Sequence, residues 1–269
     1  MTTVADILKY VETLAPTYMK MDWDNVGLLC GSRETSVTKV LVALDPFEGV
    51  CREAAEWGAE LIVTHHPIIF DPLKSVTEET TVGRSIMTLC RHGISAVNAH
   101  TNLDCAPGGV NDVLADTQGL KDVETIPPFF RDDRGRQWGL LRRGRVEEQS
   151  LSQFLETVRS SLNAEGLRYV DGGKPVRLVA VGGGSCSDEL MSAFEAGCDT
   201  FVTADIKYND FWDAQALGMN LIDAGHFATE NPVVAVLAEK IAAAFPEVQV
   251  KISETHRDCM KFRSRQLHE

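Results

Sequence analysis

The sequence predicts an α/β fold in which helices flank sheets of mostly parallel strands. A strand, a helix of about a dozen residues and a second buried strand follow one another between residues 39 and 64, and such a βαβ unit joins parallel strands. Strand-length apolar runs and helix-length segments then keep alternating up to residue 245. With 269 residues, 44% of them hydrophobic, the chain is long enough for one large or two modest domains.

The elements of the first half are predicted from helical spacing, apolar β-branched runs and glycine or proline stop signals. In order, they are a helix over 5–14, a short strand within 21–31, a strand over 39–45, a helix ending at Gly58, a strand over 59–64, a helix over 82–91 and a strand over 94–100. Another helix is expected after the turn Pro107-Gly108-Gly109, with Asn111 as its N-cap.

The second half repeats the alternation after a change of texture between residues 125 and 145. There, Pro127-Pro128 and several glycines indicate a domain boundary or a hairpin. Six arginines in this segment could hold substrate phosphates, but a solvated hairpin is the favoured interpretation: Arg131, Arg134, Arg136, Arg142, Arg143 and Arg145. The later elements are helix 151–162, strand 177–181, helix 189–196, strand 200–204, helix 210–217, strand 220–224 and helix 233–245.

Charge and cysteine content exclude several classes of protein. A formal net charge of -13 argues against general affinity for nucleic acid or anionic membranes. The seven cysteines are an odd number without a Cys-x-x-Cys pair, which indicates reduced thiols and neither a disulfide scaffold nor a zinc ribbon. The N-terminus shows no basic region followed by a long apolar one, and no run of about 18 apolar residues is present. We therefore expect a cytoplasmic protein.

Two adjacent histidines, His65 and His66, stand where a buried strand is expected to end. Pro67 has no N–H to donate to a sheet ladder, so it stops the apolar run before them. At a breaking strand end both imidazoles can turn toward one cleft, and neutral imidazole is the commonest metal-binding side chain. The pair therefore predicts a metal site. The other isolated histidines are expected to be surface or hydrogen-bonded core residues: His92, His256 and His268.

Further ligand-type side chains follow two other predicted strands. Asp104 comes after one of them, and His226 follows another, with Glu230 four residues later. Sites in open α/β sheets gather beyond the carboxyl ends of the strands, so these side chains are expected to meet. Three histidines and two carboxylates exceed the ligands of one catalytic zinc and suit two ions better. If a helix begins at this point, with Thr229 as N-cap and Pro232 in its first turn, Glu230 projects beside His226.

Three more features of the sequence have more than one explanation. His100 is a candidate ligand, a partner of the ligands or a general acid/base. Asp45, which ends a strand, either contacts the metal ligands or caps the next helix. The loop 182–188, Gly-Gly-Gly-Ser-Cys-Ser-Asp, either presents N–H groups to an anion or forms a tight turn with Ser187 or Asp188 as N-cap.

Several longer motifs resemble those of one known family. They are Trp23-Asp-Asn-Val-Gly-Leu-Leu29, Leu44-Asp-Pro46, Val63-Thr-His-His-Pro-Ile-Ile-Phe70, His100-Thr-Asn-Leu-Asp104 with Gly108-Gly-Val-Asn111, Ala204-Asp-Ile-Lys-Tyr208 and Gly225-His-Phe-Ala-Thr-Glu230. From these residues the sequence is identified as a member of the NIF-three-like family, whose bacterial members are often named GTP cyclohydrolase I type 2 homologues. The motifs run from the N-terminal quarter almost to the final helix.

The resemblance implies two interlinked α/β lobes and a ring-shaped homohexamer with metal sites facing an internal cavity. The first lobe, residues 1–125 with 226–269, would bear most metal ligands; residues 126–225 would form the second, with no domain inserted mid-chain. The resemblance implies a dinuclear metal centre. Its ligands would be the side chains that their positions after predicted strands also suggest: His65, His66, Asp104, His226 and Glu230. One position departs from the family, since Asn209 stands where His is common, and this bears on catalysis and not on the ligands.

The expected function is that of a metal-dependent hydrolase in which activated water attacks a nucleotide-like ring. By the resemblance, the substrate is GTP, opened with release of formate, although another amide or cyclic amidine fits the same chemistry. His100 is the predicted catalytic residue, as a proton shuttle. The alternative is a non-enzymatic regulatory or metal-handling protein whose ligands saturate the ions. Two divalent ions per chain are expected, and the ligands admit Zn, Fe, Mn, Co or Ni.

Overall fold

A computed structural model describes residues 1–131, 133, 135 and 137–263, so Arg134, Arg136 and His268 lie outside the described residues. The predicted α/β class is confirmed, because helices flank two mixed sheets. The chain divides into two compact units, each assembled from three segments. Unit 1 comprises Met1–Val113, Pro128–Leu140 and Glu230–His256; unit 2 comprises Leu114–Pro127, Leu141–Thr229 and the described residues from Arg257 on.

The helices match the predicted ones closely, with two short additions near candidate site residues. They are α1 (Val4–Leu14), α2 (Glu48–Trp57), α3 (Thr81–His92), α4 (Thr101–Cys105), α5 (Val110–Thr117), α6 (Leu151–Ser161), α7 (Leu190–Glu195), α8 (Tyr208–Leu217), α9 (His226–Glu230) and α10 (Pro232–Ala244). Single-turn 3-10 helices cover Thr17–Met19 and Ser187–Glu189. In the part of the chain that the structure describes, no helix combines the length and apolar character needed to cross a membrane.

The strands include every predicted one, several short strands at sheet edges and an eight-residue strand over Arg142–Gln149 within the second sheet. They are β1 (Gly27–Cys30), β2 (Lys39–Ala43), β3 (Leu61–Thr64), β4 (Ser95–Asn98), β5 (Lys121–Thr125), β6 (Phe130–Arg131), β7 (Gln137–Trp138), β8 (Arg142–Gln149), β9 (Arg168–Val170), β10 (Val176–Val181), β11 (Thr200–Thr203), β12 (Asn220–Asp223) and β13 (Gln249–Ile252).

The sheet of unit 1 has the strand order β1-β4-β3-β2-β13, and all pairs except β1 with β4 are parallel. The strands β3 and β4 are buried along their whole length, which explains their continuous apolar sequences. The register places Ala43 beside Thr64 and Thr64 beside Asn98. The residues that directly follow β2, β3 and β4 therefore emerge together at one edge of the sheet.

The sheet of unit 2 has the order β5-β8-β10-β11-β12-β9, with β10, β11 and β12 parallel at its centre. The outer strands pair antiparallel with this centre. Helix α6 contributes the buried side chains of Phe154 and Val158 to the core of this unit. The chain then passes from β12 through Gly225 into α9, which places a helix directly after a central parallel strand.

Two predicted helix caps are wrong, and both residues have other roles. Asn111 lies inside α5 and donates from Nδ2 to the carbonyls of Asp104, at 3.2 Å, and Leu140, at 2.7 Å. Thr229 lies inside α9, where its hydroxyl donates to the carbonyls of Gly225 and His226. A short polar side chain within a helix can bond nearby carbonyls, and this competes with its capping role.

The arginine-rich segment forms a hairpin, as predicted. β6 pairs antiparallel with β7, and the rings of Phe130 and Trp138 stack with centroids 4.4 Å apart. Farther along, Arg142 is buried in β8 and Arg143 forms an ion pair with Glu124 at 2.8 Å. These two arginines are engaged in the sheet of unit 2 rather than presented to a ligand.

The loop 182–188 forms a tight turn, but not through the predicted caps. Gly184 N–H donates to Thr229 Oγ1 at 3.0 Å, and Cys186 N–H donates to Thr203 Oγ1 at 3.2 Å. Cys186, not Ser187 or Asp188, occupies the N-cap position of the following 3-10 helix. Both N–H groups are therefore engaged within the protein, which argues against the alternative that this loop binds an anion.

A buried carboxylate of α2, Glu53, fastens the segment after β13. It accepts hydrogen bonds from Ser253 Oγ at 2.6 Å, Glu254 N–H at 3.0 Å and Thr255 N–H at 3.2 Å, and Lys251 Nζ lies 3.2 Å away. Burial by itself raises the pKa of Glu53, but these hydrogen bonds lower it to about 2.

We expect Glu53→Gln to destabilise the fold by about 3 kcal/mol at pH 7, because several charge-assisted hydrogen bonds are lost. The folded pKa lies below its ordinary value of 4.5. The stabilisation is therefore complete above pH 4.5 and is lost as the pH falls toward 2. Urea unfolding at several pH values measures this. Glu56→Gln, on the exposed side of the same helix, is the control, expected within about 0.5 kcal/mol of wild type. Equal stability of both variants at pH 7 would contradict the role of Glu53.

Candidate metal centre

The two adjacent histidines turn toward the same side because the strand ladder breaks at β3. Thr64 Oγ1 donates to the carbonyl of His66 at 2.7 Å, and His66 N–H donates to the carbonyl of Leu44 at 2.9 Å. These bonds replace the regular ladder and bend the chain. The two rings have centroids 4.8 Å apart at an interplanar angle of 45°. The structure thus brings the two imidazoles together, as the sequence predicts.

Two carboxylates meet these histidines. Asp104 follows β4, as expected, and lies in the single-turn helix α4, where its N–H donates to the carbonyl of His100 at 3.0 Å. Glu230 is the last residue of α9. His65 Nε2 lies 3.6 Å from Asp104 Oδ1 and 3.7 Å from Glu230 Oε1, and His66 Nε2 lies 3.0 Å from Glu230 Oε2. His65, Asp104 and Glu230 are all buried, at 0%, 6% and 4% exposure.

The third histidine at this edge is His100, which directly follows β4 and Ala99. One ligand atom each of His65, His66 and His100 lie within 4.8 Å of one another, as do those of His65, Asp104 and Glu230. The two groups share His65. The structure therefore brings five predicted site residues of unit 1 into one cluster.

Each of the three imidazoles is held through its Nδ1 atom. His65 Nδ1 contacts the carbonyl of Ala99 at 2.9 Å, His66 Nδ1 contacts Asp45 Oδ1 at 2.6 Å, and His100 Nδ1 contacts Asp24 Oδ1 at 2.8 Å. Partners of this kind fix the ring orientation and the tautomer of a metal-binding histidine. They leave each Nε2 available to the cluster.

The charges of the cluster favour a cation. Burial, together with the neighbouring Glu230 carboxylate, raises the pKa of Asp104 well above its usual range. Burial opposes the charged form of His66, but hydrogen bonds to Asp45 and Glu230 raise its pKa to about 10. The Glu230 carboxylate contributes to both shifts, because its negative charge disfavours a second carboxylate and favours a protonated imidazole.

Among the described residues, His65 Nε2 and Asp104 Oδ1 are buried without a hydrogen-bond partner. Their separation of 3.6 Å is too long for a hydrogen bond. A buried polar atom without a partner costs about 1–3 kcal/mol. Imidazole nitrogen and carboxylate oxygen are suitable donors for a divalent transition metal, so the side chains present fit such an ion.

Asp45 contacts the cluster and does not cap a helix. The N-cap of α2 is Phe47, without a side-chain hydrogen bond, whereas Asp45 Oδ1 lies against His66. Its other oxygen, Oδ2, lies 2.8 Å from Nε2 of His256. His256 is thus a half-buried residue whose ring pairs with Asp45, and its link to His66 through Asp45 was not predicted. No local pattern marks it, because it follows the last strand, almost two hundred residues farther along the chain.

Asp24 is a second residue that sequence reasoning missed. It lies in the turn before β1, and besides His100 it accepts hydrogen bonds from the N–H of Thr101, at 3.0 Å, and from the hydroxyl of Thr101. Burial raises the pKa of Asp24, but these bonds outweigh it and lower the pKa to about 2. The available signal was its place in the motif that begins at Trp23, to which no role was assigned.

His226, the remaining predicted ligand, belongs to unit 2. It begins α9, the helix that Glu230 ends, and its Nδ1 lies 2.7 Å from Asp205 Oδ2. Residues four apart share a helix face, so His226 and Glu230 lie on the same face of α9. Asn209, the departure from the family pattern, is an exposed residue in the first turn of α8.

Comparison with known proteins identifies a family. The family model Duf34/NIF3 (NGG1p interacting factor 3) matches residues 2–259. A Clostridium perfringens protein named GTP cyclohydrolase 1 type 2 homolog is 35% identical over 96% of this chain and 98% of its own. A Clostridium acetobutylicum protein of the same name is 33% identical over 97% and 98%. The crystal structure of a Bacillus cereus protein related to NIF3 has a TM-score of 0.89 at 26% identity, covering 98% and 99%.

Proposed function

The chain belongs to the Duf34/NIF3 family, and from this premise we propose that it is a hydrolase dependent on two divalent metal ions. The observation that carries the proposal is the buried cluster of His65, Asp104 and Glu230, in which His65 Nε2 and Asp104 Oδ1 lack hydrogen-bond partners among the described residues. The proposed substrate is a purine nucleotide, GTP by the names of the relatives, or a similar cyclic amidine.

The proposed ligands are the predicted ones: His65, His66, Asp104, His226 and Glu230. Glu230 Oε1 lies 3.7 Å from His65 Nε2 and Glu230 Oε2 lies 3.0 Å from His66 Nε2. This carboxylate would therefore hold metal together with both imidazoles, which favours the proposal of two ions over one. His226 joins the set through α9, which presents it on the same helix face as Glu230.

When bound, such ions supply Lewis-acid polarisation and lower the pKa of a water molecule. The chain's own residues provide orientation and proton transfer. We propose His100 as general acid/base, because Asp24 engages its Nδ1 at 2.8 Å and leaves Nε2 for a proton of the substrate. Asp45, held by His256, orients His66 in the same manner.

We also propose that the protein assembles as a homohexamer and acts in the cytoplasm. The support is the family, together with a net charge of -13 that disfavours anionic surfaces. The mass of the particle in solution, measured by light scattering, tests the hexamer against the 29.5 kDa of one chain.

The experiment that tests the function is formate release from GTP by protein loaded separately with Zn, Mn and Fe(II). We expect turnover with at least one metal. We expect it to fall at least 100-fold in His66→Ala, which removes a proposed ligand. His92→Ala, at the exposed end of α3, is the matched control and should retain turnover and metal content.

Elemental analysis separates the two ways in which turnover could fail. About two ions per chain without formate release from GTP would contradict the cyclohydrolase reaction and favour the metal-binding role. Absence of bound metal in the wild-type protein would contradict the metal centre itself.

A further inference from the structure

Two exposed aromatic side chains stand beside the metal cluster. Trp23 is 62% exposed and Phe70 is 51% exposed, and their ring centroids are 5.7 Å apart. Both rings also meet the imidazole of His100, at 6.1 and 6.0 Å, with interplanar angles of 72° and 74°. Scattered single apolar residues are normal on a protein surface, whereas two exposed aromatic rings in contact form a candidate binding surface.

The backbone beneath these rings is firmly fastened. The turn that carries Trp23 is closed by Asp24 N–H donating to the carbonyl of Met21 at 3.0 Å. Asn25 Nδ2 then donates to the carbonyl of Ile69 at 2.7 Å, which ties this turn to the residue before Phe70. The carbonyl of Asn25 in turn accepts from Asn98 Nδ2, at the end of β4, at 3.1 Å. An exposed aromatic pair on a fixed base binds a ligand with little loss of conformational entropy.

The position of the pair limits what it can bind. The ring of His100 lies between the aromatic pair and the metal cluster, 5.2 Å from the ring of His65 and 5.4 Å from that of His66. A ligand on Trp23 and Phe70 therefore lies close to His100, the proposed proton shuttle, because the His100 ring centroid is 6.1 and 6.0 Å from theirs. Aromatic faces favour another flat π-system over a phosphate or a sugar.

We propose that Trp23 and Phe70 form a stacking surface for the planar heteroaromatic ring of the substrate, a purine base. The reacting role of that ring rests on the proposed hydrolase function; the stacking itself does not. Stacking on Trp23 places the ring edge, rather than the phosphate tail, next to His100. The surface thus selects for nitrogen heterocycles and orients the bond to be opened toward the cluster.

The test uses guanosine and ribose 5-phosphate as separate probes of the metal-loaded full chain, with affinities measured by calorimetry. We expect Trp23→Ala and Phe70→Ala each to weaken guanosine binding about tenfold. Affinity for ribose 5-phosphate and metal content should not change. Trp23→Phe keeps an aromatic face and should retain most of the affinity, which separates stacking from damage to the turn.

The matched control is Trp212→Ala, which removes a tryptophan of similar exposure, 58%, from helix α8. It should bind guanosine as wild type does. Unchanged guanosine affinity in Trp23→Ala, or no guanosine binding by the wild-type protein, would overturn the proposal. A fluorescence measurement gives a further contrary outcome. If the emission that is lost in Trp23→Phe responds to protein concentration and not to guanosine, Trp23 contacts a second copy of the chain, and the proposal is overturned.

The outcomes for stacking and for hydrolysis are independent. Guanosine binding that depends on Trp23, without formate release from GTP, contradicts the reaction and leaves the stacking surface standing. Formate release together with Trp23-independent guanosine binding contradicts the stacking surface alone.

Discussion

Replacing Asp104 with asparagine is expected to lower the affinity for divalent metal at least 100-fold and, in metal-free protein, to raise stability at pH 8. The two effects have opposite signs because the carboxylate is useful only when a cation is present. Asp104 Oδ1 is buried without a hydrogen-bond partner among the described residues, and Glu230 lies in the same cluster. Asparagine keeps the shape of the side chain and removes the like-charge repulsion.

The pH dependence of the metal-free protein follows from the same contact. Burial and the neighbouring Glu230 raise the folded-state pKa of Asp104 above its ordinary value of 3.8. Its neutral form is therefore favoured in the folded state, and this advantage is complete below pH 3.8. It is lost as the pH rises from 3.8 through the raised pKa. Asp104→Asn has no carboxylate to ionise and so avoids this loss of stability. We expect the free energy of unfolding of the metal-free protein to rise by on the order of 2 kcal/mol at pH 8.

Thermal unfolding with and without a chelator, over a series of pH values, measures both effects, and competition with a metal indicator gives the affinity. Asp116→Asn, an exposed change on α5, is the control and should alter neither. If Asp104→Asn bound metal as tightly as wild type, Asp104 would not be a ligand. If it destabilised the metal-free protein at pH 8, the carboxylate would have a structural role that the cluster does not show.

The part of the site that could be predicted from sequence is the part set by strand ends. His65, His66 and His100 follow two buried parallel strands, and parallel strands release their carboxyl ends at one edge. This rule depends only on local apolar runs and their stop signals. The same local signals predicted the ends of α2 and α3, where Gly58 and Gly93 adopt the left-handed conformation.

The part that could not be predicted is how side chains distant in the sequence hold the imidazoles, although Asp45 was a predicted partner of the ligands. Asp24 meets His100 across 76 residues, and Asp45 links His66 to His256 across a far longer separation. Hydrophobic periodicity in the sequence does not indicate such pairs, because each pair depends on how a turn packs against the sheet edge. The helix α9 was missed for a different reason, because its five residues are too few for helical spacing to show.

A large fall in turnover without loss of metal is expected from Asp24→Asn. The carboxylate of Asp24 engages Nδ1 of His100, and its low pKa, about 2, keeps it charged throughout the neutral range. A charged partner holds one tautomer of an imidazole and stabilises the ring when it accepts a proton. The amide can do neither reliably, so we expect kcat to fall about 100-fold while KM changes little.

A double-mutant cycle shows whether Asp24 acts through His100. His100→Ala is expected to lower kcat roughly 10²- to 10⁴-fold, and adding Asp24→Asn should then cause little further loss. Metal content should match wild type in all three variants, because neither side chain is a proposed ligand. Guanosine affinity should match wild type in Asp24→Asn, which keeps the rings of Trp23, Phe70 and His100. Fully additive losses would mean that Asp24 contributes independently of His100. Loss of metal in Asp24→Asn would mean that His100 holds an ion, as its place within 4.8 Å of His65 and His66 permits, and is not the proton shuttle.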